Sequence, residues 1–207
     1  MNKSIVAGMA LSLLAGAAMA DANVSKGDYI ARVGVSNVDP DSDGLKLQGE
    51  GGTSTVRAED ATMLTFNGTY MVTNNIGVEL LASLPFQHDI ELDGSKVGET
   101  KQLPPTLSVQ WHFPIGQFKP YVGAGLNYTI FFDQSTTGAL DGADLDLDNS
   151  LGVAGQVGVD WFIDGNWLVN LDVRYIDIDT DAKLNGDKLG SVDIDPWIYG
   201  LHVGYKF

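Results

Sequence analysis

The chain ends in the stretch Trp197-Ile198-Tyr199-Gly200-Leu201-His202-Val203-Gly204-Tyr205-Lys206-Phe207, which alternates strictly between two kinds of side chain. The odd-numbered positions are all apolar or aromatic, whereas most of the even-numbered positions are small or polar. Successive side chains of a β-strand point to opposite faces of the sheet, so the pattern predicts a strand with one apolar and one polar face. An apolar face turned to lipid and a small or charged face turned inward suit a membrane barrel with a narrow lumen.

The same two-residue alternation recurs along the chain. In residues 106–113, for example, Leu107, Val109 and Trp111 alternate with Ser108 and Gln110. The predicted strands cover residues 29–35, 64–72, 76–84, 106–113, 122–132, 151–163, 167–175 and 197–207. Eight is an even number and the smallest usual strand count of an outer-membrane barrel. We therefore predict an all-β fold, an eight-stranded antiparallel transmembrane β-barrel.

The connections between these strands alternate in length. Residues 73–75, 114–119 and 164–166 form short turns rich in Asn, Gly or Pro. The other links are long and cover residues 36–61, 85–103, 133–149 and 177–195. This arrangement predicts short periplasmic turns at one rim of the barrel and long extracellular loops at the other.

Composition and charge exclude several classes of function. The chain of 207 residues carries a net charge of -15, and the four long links hold 21 of its 27 acidic but only 6 of its 12 basic residues. Without a basic surface to neutralise phosphates, nucleic-acid binding is not expected. The absence of cysteine excludes thiol catalysis, cysteine-based zinc sites and disulfides, and we expect no cofactor.

The N-terminus has the features of an export signal. Lys3 precedes an apolar run that ends near Leu14, and Ala18-Met19-Ala20 is a small-x-small cleavage site. We predict a cleaved signal peptide over residues 1–20 and an outer-membrane barrel over residues 21–207. No other segment has 18 consecutive apolar residues, as a transmembrane helix would require.

Eight stretches follow one another along the predicted mature chain. They are Tyr70-Met71-Val72-Thr73-Asn74-Asn75-Ile76-Gly77-Val78-Glu79-Leu80-Leu81, Leu103-Pro104-Pro105-Thr106-Leu107, Lys119-Pro120-Tyr121-Val122-Gly123-Ala124-Gly125-Leu126-Asn127-Tyr128, Ala154-Gly155-Gln156-Val157-Gly158-Val159-Asp160, Trp167-Leu168-Val169-Asn170, Asp177-Ile178-Asp179-Thr180, Asp195-Pro196-Trp197 and Gly204-Tyr205-Lys206-Phe207. Together they resemble the OmpW family of outer-membrane proteins. The resemblance implies a barrel of a Gram-negative outer membrane with a narrow, largely apolar interior. It also implies a role in helping small hydrophobic molecules across that membrane.

Charged residues fall on the predicted lumen face of the strands, where each needs a partner to offset desolvation. They are Arg32, Glu79, Asp160, Asp172, Arg174, His202 and Lys206. Two interpretations stand, a polar plug or gate and a structural ion-pair network that fills the lumen, and we favour the second. Either would block water and ions toward the periplasmic end, so an apolar solute would need a lateral exit into the bilayer.

The ligand path is expected above this network, on the same strand face near the long loops. The candidate residues are Thr65, Leu81, Phe131, Ala154, Ile176 and Ile198. A slip of one residue in strand register would exchange the two faces of a strand. At the end of the chain, Val203, Tyr205 and Phe207 resemble the signal that the barrel-assembly machinery reads, and they would also face lipid.

Acidic loops raise the question of bound cations. Asp39, Asp41, Asp43 and Glu50, with Gly44 between them, match the spacing of an EF-hand calcium loop. No flanking helix is predicted, so a solvated acidic loop is the favoured interpretation. Asp144, Asp146 and Asp148 would attract divalent cations that bridge lipopolysaccharide, or would simply be hydrated.

Three other functional classes each require features that the sequence can be checked for. An enzyme at the outer rim would need a nucleophile and a base, and His88 with nearby Ser83 and Asp89 forms no diagnostic motif. A soluble lipocalin-like binder would turn its apolar face inward and need no detergent. The main alternative is an outer-membrane barrel that docks partners or cations through its acidic loops and transports nothing.

Overall fold

The computed structural model describes residues 24–41, 45–49, 52–58, 60–92 and 95–207. The predicted signal peptide and the calcium candidates Asp43 and Glu50 lie outside these residues. The strands are β1 Tyr29–Asp39, β2 Leu45–Gly49, β3 Gly52–Ala58, β4 Ala61–Met71, β5 Ile76–Ser83, β6 Phe86–Leu92, β7 Ser95–Leu103, β8 Thr106–His112, β9 Phe118–Thr136, β10 Leu145–Leu147, β11 Ser150–Phe162, β12 Trp167–Ile176, β13 Asp179–Leu184, β14 Asp187–Asp193 and β15 Trp197–Lys206. Among these residues no helix is long and apolar enough to cross a membrane.

Eight of the strands form a closed antiparallel barrel. Around the ring they follow the order β11, β12, β15, β1, β4, β5, β8 and β9, and pairing of β9 with β11 closes it. The two ends of the barrel sequence meet between β1 and β15, where the backbone N–H of Phe207 donates to the carbonyl of Tyr29 at 2.8 Å. The predicted eight-stranded architecture is therefore confirmed, with every predicted strand matched by an observed one.

The register of the barrel strands places the apolar side chains on the outer face of the barrel. Large apolar residues of the alternating pattern are exposed around the barrel, for example Leu107, Trp111, Leu126 and Leu201. Their neighbours of opposite parity are buried in the lumen, as Gln110 and His202 show. An apolar outer surface around a polar inner one suits lipid as the surrounding solvent.

One turn differs from its sequence-based prediction. The sequence predicts a short turn over residues 114–119, but β9 already begins at Phe118, and Lys119 lies opposite Asp160 in the β9–β11 ladder. The turn itself is closed by a bridge between Ile115 and Phe118. The Lys-Pro pair at residues 119–120 hid the strand start, because neither residue continues an apolar alternation.

The long links also contain strands. β2, β3, β6 and β7 extend the wall beyond the membrane band, and β7 pairs with the upper half of β9. A separate three-stranded sheet has the order β10, β13 and β14. These strands carry mostly polar residues, so they show little of the apolar alternation that identifies strands facing lipid.

Candidate functional site

The middle of the lumen holds a buried network of charged side chains. Arg32 of β1 reaches Asp160 of β11 with two hydrogen bonds, Nε to Oδ1 at 3.0 Å and Nη2 to Oδ2 at 2.6 Å. Its Nη1 donates to Asn67 and Thr69 of β4. Since opposite charges in a low-dielectric interior attract strongly when their remaining hydrogen bonds are met, this geometry ties three strands together across the barrel.

A second group centres on Arg174 of β12. Its Nη1 donates to Glu79 Oε1 at 2.7 Å and its Nε donates to Asp172 Oδ1 at 2.7 Å. The other carboxylate oxygen of Glu79 accepts from Gln110 at 2.9 Å and lies 3.8 Å from Nη1 of Arg32. Glu79 therefore links the two groups into one network.

The network continues upward through an imidazole. Nδ1 of His202 lies 3.3 Å from Asp172 Oδ2, and its Nε2 is 2.8 Å from the hydroxyl of Thr65. Thr65 in turn shares a hydrogen bond with Ser36 at 2.8 Å. Thr65, a residue of the predicted upper apolar path, therefore lies at the top of the polar network.

Lys206, the seventh predicted member, lies opposite Ile30 of β1, near the short turns. Its side chain is partly exposed at the short-turn end, and Nζ is 3.9 Å from Asp28. The network instead includes lumen-facing residues that the sequence analysis missed. They are Asn67, Thr69, Gln110, Tyr121 and Asn170. Lys119 is also buried, opposite Asp160 in the β9–β11 ladder, but its Nζ has no hydrogen-bond partner among the described residues. The alternation along each strand could have identified them, since all of them occupy positions whose side chains point into the lumen.

An apolar cluster lies above the network, toward the long loops. Four of the six predicted path residues, Phe131, Ala154, Ile176 and Ile198, belong to it. Its other buried members are Val38, Ile178 and Ile194, with Ala61, Met63, Leu147 and Val192 packed against them. Leu81 is buried in the wall but outside this cluster.

A second apolar cluster closes the short-turn end. It consists of Val24, Ile30, Met71, Phe162 and Leu168. Val24 belongs to the segment before β1, which is fixed beneath the barrel by backbone hydrogen bonds between Gly27 and Met71 and between Met71 and Asp28. From top to bottom the lumen is thus apolar, ion-paired and apolar again.

The barrel wall is interrupted beside the upper cluster. The last pair between β5 and β8 joins Leu81 to Thr106, and the first pair between β6 and β7 joins Phe86 to Gln102. Between these two pairs, residues 82–85 form no ladder pair with residues 103–105. Pro85, Pro104 and Pro105 lack the N–H that a ladder needs. Because Gln102 pairs with Phe131 across β7 and β9, the interruption lies one strand from the apolar cluster.

Aromatic residues mark the lower rim around the C-terminus. The rings of Tyr205 and Phe207 are 4.9 Å apart, and those of Trp167 and Tyr205 are 5.1 Å apart. Val203 and Phe207 are exposed on the outer face. This arrangement fits a ring of aromatic side chains at the membrane boundary.

The long loops place several carboxylates together. Asp39 and Asp41 are exposed at the end of β1, whereas the carboxylates of Asp177, Asp179 and Asp195 lie within 4.8 Å of one another and could hold a metal ion. A hydrogen bond with Asp193 raises the pKa of Asp179. Asp148, one of the proposed cation attractors, is instead paired with Lys183 at 2.7 Å.

Comparisons with known proteins agree with this architecture. The profile of the OmpW family matches residues 25–207. Outer membrane protein W of Escherichia coli (strain K12) is 44% identical, with 100% of both chains covered. The crystal structure of the outer membrane protein OprG from Pseudomonas aeruginosa has a TM-score of 0.81 and 35% identity, covering 90% of this chain and 99% of its own.

A more distant relative carries a metabolic name. The dibenzothiophene metabolism operon protein PahQ of Pseudomonas aeruginosa is 27% identical over 85% of this chain and 87% of its own. The family profile, the full-length relatives and the closed barrel lead to one assignment: the chain belongs to the OmpW family and is an outer-membrane β-barrel.

Proposed function

We propose that this barrel lets small hydrophobic molecules pass passively into the outer membrane through its upper lumen and out through its wall. The observation that carries the proposal is the position of the wall interruption. It lies beside the apolar cluster and above the ion-paired network. A solute that enters from the loops would first meet the apolar side chains with the wall interruption beside them, and below these the ion-paired network, which forms a closed floor.

The ion-paired network forms the closed floor below the apolar cluster, and it argues against passage of a solute straight through the barrel. Arg32, Asp160 and Glu79 are buried and held by short hydrogen bonds from several strands. Moving them aside would leave charges unpaired in a low-dielectric interior, which costs several kcal/mol per ion. The lower apolar cluster adds a second barrier to water and ions.

The wall interruption supports the lateral exit. Proline cannot donate to a strand ladder, so the backbone at Pro85, Pro104 and Pro105 does not seal the β5–β8 seam. The side chain of Leu84 there is 47% exposed on the outer side, and Leu81 is buried on the inner side. An apolar solute would move between such residues without desolvating any charge. Its overall transfer from water into lipid is favourable by roughly 25 cal/mol per Å² of apolar surface.

The name of PahQ adds indirect support. Dibenzothiophene is a small aromatic compound without charge, and a relative named for the metabolism of such a compound fits an apolar path. The solute that we propose for this barrel is therefore a small apolar molecule.

We also propose that the chain is not an enzyme. Thr65, His202 and Asp172 form a hydroxyl, imidazole and carboxylate series, but all three are buried. The Thr65 hydroxyl is also engaged by Ser36, and Asp172 is engaged by Arg174. These contacts suit a structural network better than a nucleophile that must reach a substrate.

The second candidate function is docking through the loops. Asp177, Asp179 and Asp195 are clustered at the long-loop end, and the long links carry most of the negative charge. Divalent cations held there would bridge the barrel to the phosphates of lipopolysaccharide. Under either function, we propose that the exposed C-terminal aromatic face is read by the barrel-assembly machinery after export by the predicted leader.

The test is uptake into vesicles whose outer leaflet carries lipopolysaccharide, with and without the refolded barrel. The probes are a small apolar tracer and a sugar of similar size. Faster entry of the apolar tracer alone is expected. Faster entry of both would indicate a water-filled pore and contradict the closed floor. If neither enters faster than in empty vesicles, docking replaces transport as the function.

A further inference from the structure

We infer that the floor of the apolar cluster is a binding site for the polar head of the solute, and that this head is an uncharged oxygen group such as a ketone, ester or alcohol. The inference rests on the proposed function and narrows its substrate class. It is carried by two buried side chains, Gln156 of β11 and Arg174 of β12, which are direct cross-strand partners.

Both side chains keep polar atoms without hydrogen-bond partners among the described residues. Gln156 is 6% exposed, and neither its Oε1 nor its Nε2 has a partner. Arg174 is 3% exposed and uses Nε and Nη1 in the ion-paired network, but its Nη2 has no partner. Leaving such groups buried and unsatisfied costs free energy, so they favour a ligand or water that supplies the missing bonds.

The position of these atoms links them to the apolar cluster. Ala154 precedes Gln156 by two residues on the same face of β11, and Ile198 pairs with Arg174 across β12 and β15. Ala154 and Ile198 both belong to the cluster. On β9, the partner of Gln156 is Gly123, where a Cβ would lie only 2.9 Å from Nε2, so the glycine leaves room for the amide. A molecule with its apolar body in the cluster would therefore place one end at Gln156 and Arg174.

The charge balance of the lumen favours an uncharged polar group on the solute over a charged one. Three buried cations, Arg32, Lys119 and Arg174, face three buried carboxylates, Glu79, Asp160 and Asp172. A ligand carboxylate would add a fourth negative charge without a matching cation, which is costly in this environment. A neutral oxygen adds none, and it can accept from Nε2 of Gln156 and Nη2 of Arg174. An alcohol can also donate to Oε1 of Gln156.

The experiment measures binding to the refolded full barrel in lipid nanodiscs, with 2-octanone, octane and octanoate as probes of equal chain length. Gln156→Leu keeps the volume of the side chain and removes both polar atoms. We expect its Kd for 2-octanone to rise about three- to tenfold, the size of one lost hydrogen bond, with the Kd for octane unchanged. In the wild type, 2-octanone should shift the side-chain amide resonance of Gln156 in a nitrogen-15 spectrum. Gln117→Leu, in a short turn, is the matched control.

Each other outcome has a separate meaning. Equal Kd values for 2-octanone in the wild type and in Gln156→Leu, with no amide shift, would show that water alone satisfies Gln156. That result would overturn the head-group site. Binding of octane in the same experiment would still support the proposed passage of apolar molecules. Tighter binding of octanoate than of 2-octanone would overturn the uncharged head. If no probe binds the wild type, the proposed function itself fails. Heat-dependent migration on gels verifies that each variant is folded.

Discussion

Glu79 and Arg174 are 95 positions apart in the chain, and their side chains meet inside the barrel with Oε1 2.7 Å from Nη1. Glu79 is also within 3.8 Å of Arg32, so one carboxylate serves two guanidinium groups. A buried ion pair adds little stability relative to apolar packing, but removal of one partner leaves an uncompensated charge. The network is therefore more sensitive to the loss of single members than a loop ion pair would be.

The first prediction concerns Glu79→Gln. It keeps the shape of the side chain but leaves three buried cations, Arg32, Lys119 and Arg174, with only two buried carboxylates, Asp160 and Asp172. We expect the free energy of unfolding to fall by about 3 to 5 kcal/mol, as for other broken buried pairs. Urea unfolding of the refolded barrel in lipid vesicles, followed by tryptophan fluorescence, measures it.

The matched control for that experiment is Glu99→Gln. Glu99 pairs with Lys96 in the extracellular sheet, where its side chain is 34% exposed. Exposed ion pairs contribute at most about 1 kcal/mol, so this variant should unfold nearly as the wild type does. Equal losses in the two variants would contradict the structural role given to Glu79.

The second prediction concerns electrical conductance. The ion-paired network is expected to keep the lumen closed, so the wild-type barrel should show little ionic current in a planar bilayer. Replacing Arg32 and Asp160 together by Ala removes a cation and an anion and leaves the charge balance intact. We expect this double variant to conduct several-fold more current than the wild type. A large wild-type current, unchanged by the substitutions, would show that the network is not the barrier.

The eight membrane strands could be predicted from the sequence because lipid imposes an apolar side chain at every second position. The inward parity of Glu79, Asp160 and Arg174 follows from the same rule. Which of these side chains pair could not be predicted, since pairing across the lumen depends on the stagger between strands that are far apart in sequence. Lys119 was missed because its strand begins in a turn-like Lys-Pro pair. The sequence shows three prolines at the wall interruption, Pro85, Pro104 and Pro105. That they interrupt the pairing of β5 with β8 follows only from the register of these two strands.

The third prediction concerns the wall interruption. Replacing Pro104 by Thr and Pro105 by Val restores two backbone donors with residues that favour strands. The β5–β8 seam would then pair further upward, and uptake of an apolar tracer should slow at least threefold. Pro120→Val is the control, because Pro120 lies at the opposite end of the barrel in a strand that is already paired with β11. Unchanged uptake in the Pro104 and Pro105 variant would rule out an exit at this seam.

The fourth prediction concerns Asp164 in a short turn outside the membrane band. Its Oδ1 accepts from the backbone N–H of Asn166 at 2.8 Å and of Trp167 at 2.7 Å, and these bonds lower the pKa of Asp164 below the ordinary value of 3.8. A lowered pKa in the folded state means that the ionised carboxylate stabilises the turn. This contribution is complete above pH 3.8 and is lost as the pH falls through the folded-state pKa.

Asp164→Ala should therefore lower the free energy of unfolding at pH 7 and make no difference to it in strong acid. Asp164→Asn, which keeps one acceptor oxygen, should lose less at pH 7, and urea unfolding of the three proteins at several pH values compares them. An Ala variant whose deficit persists in strong acid would show that the side chain acts by packing rather than as an ionised acceptor.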